Sequence, residues 1–300
     1  MRARALMMEA VGMVQGTVPD EQVRQRLLRR YLSDGLGQVE GWLDPRSAKV
    51  IAALGEYQTA QGIRGAVGEI GVHHGKLLVL LDLIKATGEI SFAVDLFDDQ
   101  RLNVDQSGLG DYSQLATNLE KFSAGLDRVE IFRLNSMDLR VDDLLAACGP
   151  VRLFSVDGGH TAACTLNDIQ ISEASTLDHG LVVVDDYFNP SWPDVSAGVA
   201  QYIFHRGSTL RPFAISPNKL YLARSHCHER YRTALRKRVA RYYLKTSTMY
   251  EHEVDIYGYD HSTSWRRRLI NYVKKTPIGA PIHRIYRRHS ARKQSGAAVG

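Results

Sequence analysis

Short β-branched and aliphatic runs alternate with helix-like segments from residue 66 to residue 204, and this alternation constrains the fold more than any other feature. Strand Ala66–Ile70 leads to a helix from about Lys76, and strand Phe92–Leu96 leads to a helix from about Tyr112. Strand Val129–Leu134 precedes a short helix near Asp142–Ala147, and strand Arg152–Val156 precedes a helix near Ala162–Leu177. Strand Leu181–Val184 then leads to a helix near Val195–Phe204. Parallel neighbours need long, usually helical crossovers, so the pattern predicts an α/β chain with a doubly wound, mostly parallel sheet. Pro212–Ile215 and Leu220–Ala223, joined by Ser-Pro-Asn-Lys, read as a closing antiparallel hairpin and bring the expected strands to seven. Two helices precede the first strand. One starts at Thr17-Val-Pro-Asp-Glu-Gln, and the other has Asp44 as cap and Pro45 in its first turn, running toward Gln61.

Composition narrows the class. Hydrophobic residues are 44% and charged residues 24% of the 300, which excludes a disordered or disulfide-stapled chain. The longest apolar run, Leu77–Leu81 extended to Ile84, is broken by Asp82 and falls short of a bilayer-spanning helix. Glu9 interrupts any signal-peptide core behind Arg2 and Arg4. Cys148, Cys164 and Cys227 form an odd, widely spaced set that suits a reducing compartment, so a soluble cytoplasmic protein is expected. The net charge of +5 hides two opposite parts. Residues 224–300 hold 18 Lys/Arg against 5 Asp/Glu, and the remainder holds 20 against 28. This shift divides the chain into an N-terminal helical segment (1–62), a ligand-binding domain (63–223) and a basic C-terminal extension (224–300).

Open α/β sheets bind ligands beyond the carboxyl ends of their strands. The first strand ends in Gly68-Glu69-Ile-Gly71-Val-His-His-Gly75-Lys76, a tight turn where a ligand can approach the backbone. The spacing of Gly68, Gly71 and Gly75 differs from a dinucleotide fingerprint, and Glu69 would repel a phosphate, so a cationic ligand is favoured. Asp95 stands at the tip of the second strand, suited to ribose hydroxyls. The fourth strand ends in Asp157-Gly-Gly-His160 and the fifth in Asp185-Asp186-Tyr187. Three carboxylates on neighbouring strand tips are costly unless a cation compensates, and an all-oxygen set suits a hard ion such as Mg²⁺. Each aspartate alone would equally serve as a helix cap. His160, at the start of a helix, is expected to be neutral and to act as general base; the plainer reading is that it orients an aspartate.

Taken together, these motifs resemble class I S-adenosylmethionine-dependent methyltransferases. The resemblance is to the metal-dependent branch of macrocin O-methyltransferase and related sugar O-methyltransferases, over roughly residues 65–223. It implies a Rossmann-like sheet, S-adenosylmethionine as donor, Mg²⁺ or another divalent cation, and a saccharide or glycosylated acceptor, as in bacterial glycan or natural-product tailoring. By position it implies Glu69, Gly71 and Gly75 near the methionine end of the donor, Asp95 on its ribose, and Asn135 and Ser136 near adenine. Asp157, Asp185 and Asp186 match the metal ligands, with Asp157 and His160 at the reacting centre. Tyr187, Phe188 and Trp192 follow the metal strand and could wall the acceptor site or simply pack against a helix.

The extension carries Tyr231, Leu235, Val239 and Tyr242 at helical spacing among Arg232, Arg236, Lys237 and Arg241. Trp265, Leu269 and Tyr272 repeat the pattern beside Arg266–Arg268 and Lys274–Lys275. Amphipathic basic helices packed on the body or across a dimer are expected, with an anionic membrane surface or acidic partner as the competing use. No nucleic-acid motif is present in the sequence, and a homo-oligomer is expected. His226-Cys227-His228 is too compact for a structural zinc site and reads as a linker. A Mg²⁺-dependent O-methyltransferase is the leading reading. The alternatives are a non-catalytic scaffold of the same fold, docked to membrane or glycan-assembly partners, and a catechol-type methyltransferase.

Overall fold

The structure, a computed structural model, describes residues 21–97 and 99–258. Nine strands form one sheet in the order β3-β2-β1-β4-β5-β7-β6-β9-β8. The first five are β1 (Ala66–Ile70), β2 (Ser91–Asp95), β3 (Val129–Arg133), β4 (Val151–Val156) and β5 (Thr176–Asp185), all paired in parallel. β6 (Leu210–Ser216) and β7 (Lys219–Arg224) form the expected hairpin, with β7 antiparallel to β5. β4 is buried along its whole length and β5 from Gly180 to Asp185, as near-continuous apolar runs covered on both faces should be.

Helices cover both faces. α1 (Glu21–Ser33), α2 (Pro45–Ala60), α3 (Lys76–Ile84) and α4 (Tyr112–Phe122) are followed by α5 (Val141–Cys148), α6 (Ala162–Ser175), α7 (Pro193–His205) and α8 (His228–Arg238). The start expected for the first helix at Thr17 lies outside the described residues. α2 begins as its sequence dictates: the Asp44 carboxylate accepts from the Arg46 amide at 2.7 Å, with Pro45 at the first helical position. In α3, Leu77 to Ile84 are all buried, so the helix is apolar on every side and lies between the sheet and α1, α2 and α4. Each such leucine contributes about 1.5–3 kcal/mol by burial. Arg152, fully buried on β4, is satisfied by Glu89, the Gln58 amide and the Ile84 carbonyl.

Beyond β7 the structure departs from expectation. Among the described residues of the basic segment only His228–Arg238 is α-helical; β8 (Tyr243–Met249) and β9 (His252–Tyr257) then form a second hairpin whose β9 pairs parallel with β6. The sheet therefore has nine strands rather than seven. Residues 224–258 fall in the same compact unit as the sheet, so the charge boundary at 224 is not a packing boundary. Tyr231, Leu235 and Val239 are buried in the core, in agreement with packing on the body. Their basic neighbours are partly consumed: Arg232 and Arg236 both bind Asp255 of β9, which is fully buried. Trp265, Leu269, Tyr272, Arg266–Arg268 and Lys274–Lys275 lie outside the described residues. No helix among the described residues is long and apolar enough to cross a membrane.

Candidate active site

The carboxyl ends of β1, β2 and β4 are stitched together where the glycine turn begins. The Gly71 amide donates to the Val94 carbonyl and the Asp157 amide to the Ile70 carbonyl, each at 2.9 Å. Gly71 has φ of 82°, and a Cβ there would sit 1.7 Å from the Asp157 carbonyl oxygen. Only glycine permits both the conformation and the approach. Asp95, at the end of β2, accepts from the Val72 and His73 amides on Oδ2 and from the Phe97 amide on Oδ1. These bonds fix the carboxylate and fill both acceptor positions of Oδ2, while Oδ1 retains one.

A cavity of about 500 Å³ opens above these ends. Gly71, Asp95, Asn135 and Ser136 line it together with Asp157, His160, Asp185, Asp186 and Trp192. Glu69, Gly75, Tyr187 and Phe188, all expected at the site, do not line it. Glu69 is 2% exposed and lies beneath the floor, with Oε1 3.4 Å from Ser155 Oγ and Oε2 without a hydrogen-bond partner. Gly75 caps α3, with the Leu115 side chain where a Cβ would be. Tyr187 turns toward the β8–β9 turn, its hydroxyl 2.5 Å from that of Tyr250. Trp192, by contrast, stacks on His160 at 4.4 Å between ring centroids, 17° from parallel.

His160 departs most from expectation. Its Nδ1 lies 2.7 Å from Asp105 Oδ2, and its Nε2 lies 2.9 Å from Asp186 Oδ2 and 3.9 Å from Asp157 Oδ1. Burial disfavours its charged form, but the bonds to Asp186 and Asp105 outweigh burial and hold the imidazole above its ordinary range. The ring is therefore biased toward imidazolium rather than neutral. The helix begins at Ala162 with Thr161 as its cap, so the helix end is a weaker influence than two carboxylates in contact. Asp105 is held down to about 2: burial opposes its ionisation, but the bonds from Ser107 and His160 win.

The acidic trio is assembled, but with a cation already inside it. Lys219, 2% exposed at the start of β7, is ion-paired with Asp185 Oδ2. Burial opposes the ammonium, yet Asp185 and Asp157 outweigh it and keep Lys219 protonated above its ordinary range. Asp185 Oδ1 accepts from the Asn218 amide group at 3.0 Å and the Asp186 backbone at 2.9 Å, so both oxygens are engaged. Asp186 has φ of 55°, an uncommon conformation for a non-glycine residue, and accepts from Asn189, Asn218 and His160. Burial pushes it up, but those bonds hold it below its ordinary value. Asp157 is pushed well above the carboxylate range by burial and by the facing Asp185. Glu69 moves the same way for the same two reasons.

Lys219 thus offsets the burial of Asp157 and the charge of its facing carboxylate only in part. Ligand atoms of Asp157, His160 and Asp186 lie within 4.8 Å of one another, a set that fits a divalent cation. Asp185, expected as a third ligand, is turned to Lys219. Mg²⁺ usually takes one or two carboxylates and completes its shell with water and substrate oxygens, so Asp157 and Asp186 suffice. Sequence reasoning missed Asp105, Lys219 and Asn218. Asp105 sits in an aperiodic loop far from His160 in sequence, and Asn218-Lys219 read as turn residues.

The strand order β3-β2-β1-β4-β5-β7-β6, with β7 alone reversed against β5, frames this cavity. Residues 69–187 match the family model of methyltransferase domains. Among solved structures, the O-methyltransferase NovP shares the fold at TM-score 0.54 and 14% identity, over 68% of this chain and 99% of that chain. CalS11, a TDP-rhamnose 3'-O-methyltransferase of calicheamicin biosynthesis, gives 0.45 and 16%, over 68% and 92%. The MycE methyltransferase of the mycinamycin pathway, in complex with Mg and S-adenosylhomocysteine, gives 0.46 and 17%, over 69% and 55%. No curated protein sequence matches the chain. The shared fold is the Rossmann-like α/β architecture that the sequence resemblance implies.

Proposed function

We propose that the chain is an S-adenosylmethionine-dependent O-methyltransferase that acts on a hydroxyl of a saccharide or glycosylated metabolite with a divalent cation at Asp157 and Asp186. The observation that carries this reading is the meeting of Asp157, His160 and Asp186 in a cavity that Gly71 and Asp95 also line. S-adenosylmethionine, when bound, supplies an electrophilic methyl group. A divalent cation, when bound, lowers the pKa of a coordinated hydroxyl.

The protein's own groups do the rest. Asp95 offers acceptors to ribose hydroxyls, and Asn135 and Ser136 stand where adenine would lie. Asp105 accepts from Nδ1 of His160 and fixes the ring so that Nε2 faces Asp157 and Asp186. Loss of the Nε2 proton to solvent, with Nδ1–H kept on Asp105, leaves Nε2 as the atom that takes the acceptor's proton, and Asp105 stabilises the imidazolium that re-forms. Trp192 restrains the ring and gives the acceptor a flat apolar wall. Alignment of hydroxyl and methyl in one cavity supplies much of the acceleration.

Methyl transfer to a panel of saccharides, with Mg²⁺ and with chelator, tests the reading. Turnover that needs Mg²⁺ and falls at least about 100-fold in Asp186→Asn supports it. Equal turnover in chelator, or turnover on simple phenolic diols and none on sugars, refutes the metal or the acceptor class respectively.

A further inference from the structure

A second cluster of ligating side chains lies at the opposite end of β5. His179, in the first half of that strand, meets His226 and Cys227, which close the single helical turn Ser225–Cys227 ahead of α8. Along the strand this is about 20 Å from Asp185, at roughly 3.3 Å per residue. The sequence His226-Cys227-His228 alone suggested a linker; the fold supplies the missing partner from 48 residues away. His228 is not part of the group, since its Nε2 lies 3.0 Å from the Pro212 carbonyl oxygen.

Ligand atoms of His179, His226 and Cys227 fall within 4.8 Å of one another. His179 Nδ1 is 3.3 Å from Cys227 Sγ. Two ligands of a tetrahedral zinc ion, at about 2.0 Å for nitrogen and 2.3 Å for sulfur, stand about 3.5 Å apart, so this pair is at coordination spacing. Asp178 Oδ2 lies 3.1 Å from His226 Nε2 and 3.9 Å from His179 Nδ1, placed to hold either ring or to complete the shell. The His179 carbonyl accepts from the buried Tyr231 hydroxyl, which anchors the backbone on one side. Both histidines are half exposed while Cys227 is 1% exposed, so an ion can enter from solvent and the sulfur is shielded. Two imidazoles and a thiol form a borderline-soft set that selects zinc over Mg²⁺. Arg224, 3.5 Å from the other Asp178 oxygen, orients that carboxylate.

We propose that His179, His226 and Cys227 form a zinc site that fastens the amino end of β5 to the base of α8. The site is independent of the methyl-transfer reading. It joins the parallel core to the basic segment, and it takes up zinc with release of the Cys227 proton.

Titration of the full chain with Co²⁺ alone tests it, because a cobalt–thiolate bond gives a charge-transfer absorption that oxygen and nitrogen ligands do not. One equivalent of cobalt should produce that band and one equivalent of Zn²⁺ should bleach it. Cys227→Ser should abolish it, and His226→Ala, at an exposed side chain, should weaken cobalt binding at least about 10-fold without unfolding the chain. Cys148→Ser and Cys164→Ser should keep it. Zn²⁺ should raise the melting temperature of the parent chain and not that of His226→Ala. The absence of a band in the parent chain, or a band that survives Cys227→Ser, overturns the proposal.

Discussion

Replacing Lys219 by methionine removes the one ammonium that faces Asp185, Asp157 and Glu69, while keeping most of the side-chain volume. Lys219 and Asp185 are 2% and 4% exposed, so water cannot take over the lost charge. Breaking a buried ion pair from one side costs about 3–5 kcal/mol, because the remaining charge stays buried and unpaired. Urea unfolding at neutral pH should therefore show a loss in that range. The pH dependence has a defined sign. Asp157 and Glu69 already sit above the ordinary carboxylate range because of burial and Asp185, and Lys219 is the group that pulls them back. Without it they rise further. A carboxyl raised in the folded state stabilises below its unfolded pKa and loses that contribution as pH rises through the folded value. The deficit of Lys219→Met should thus be larger at alkaline than at acid pH and shrink as pH falls toward about 4. The double variant Lys219→Met/Asp185→Asn should recover most of the loss, since neither group is then left charged and alone. A Lys219→Met deficit under about 1 kcal/mol, or one that does not change with pH, refutes this balance of charges.

Asp168, on α6, is pushed up to about 6 by burial, and its Oδ2 has no hydrogen-bond partner. Folded stability should fall as pH rises through 6, and Asp168→Asn should remove that dependence and gain about 1–3 kcal/mol at pH 8, read by urea unfolding. Asp255 is held down despite burial by bonds from Arg236, Thr246 and Arg232, so its contribution is present at neutral pH and lost as pH falls below the ordinary carboxylate range. Asp255→Asn should cost about 3 kcal/mol at pH 7 and much less near pH 3. Asp105→Asn should lower kcat about 100-fold with little change in KM, because it misorients His160 without touching the acceptor; an unchanged kcat would remove Asp105 from the mechanism.

Much of this architecture is legible in the sequence because strong local signals agree with the global fold. Ala66–Ile70 and the starts of α3, α4 and α6 coincide with expectation, since an apolar run followed by a cap or turn leaves few alternatives. β8 and β9 were missed for a physical reason. Tyr243–Met249 alternates exposed and partly buried residues at the sheet edge, and the helical spacing of Tyr231, Leu235, Val239 and Tyr242 runs straight into it. The site shows the same division. Aspartates at strand tips announce themselves through position, whereas Asp105, Lys219 and His179 act through partners far away in sequence. The neutral His160 expected from a helix terminus failed because contact with Asp105 and Asp186 is a stronger field than a helix end.

Calorimetric titration of the protein with S-adenosylhomocysteine, in Mg²⁺ and in chelator, tests the methyltransferase assignment most directly. Micromolar binding in Mg²⁺, weakened at least about 10-fold when Asp95→Ala removes the carboxylate at the end of β2, is the predicted result. Absence of binding under either condition would contradict the assignment, and binding unchanged in Asp95→Ala would contradict the placement of the donor.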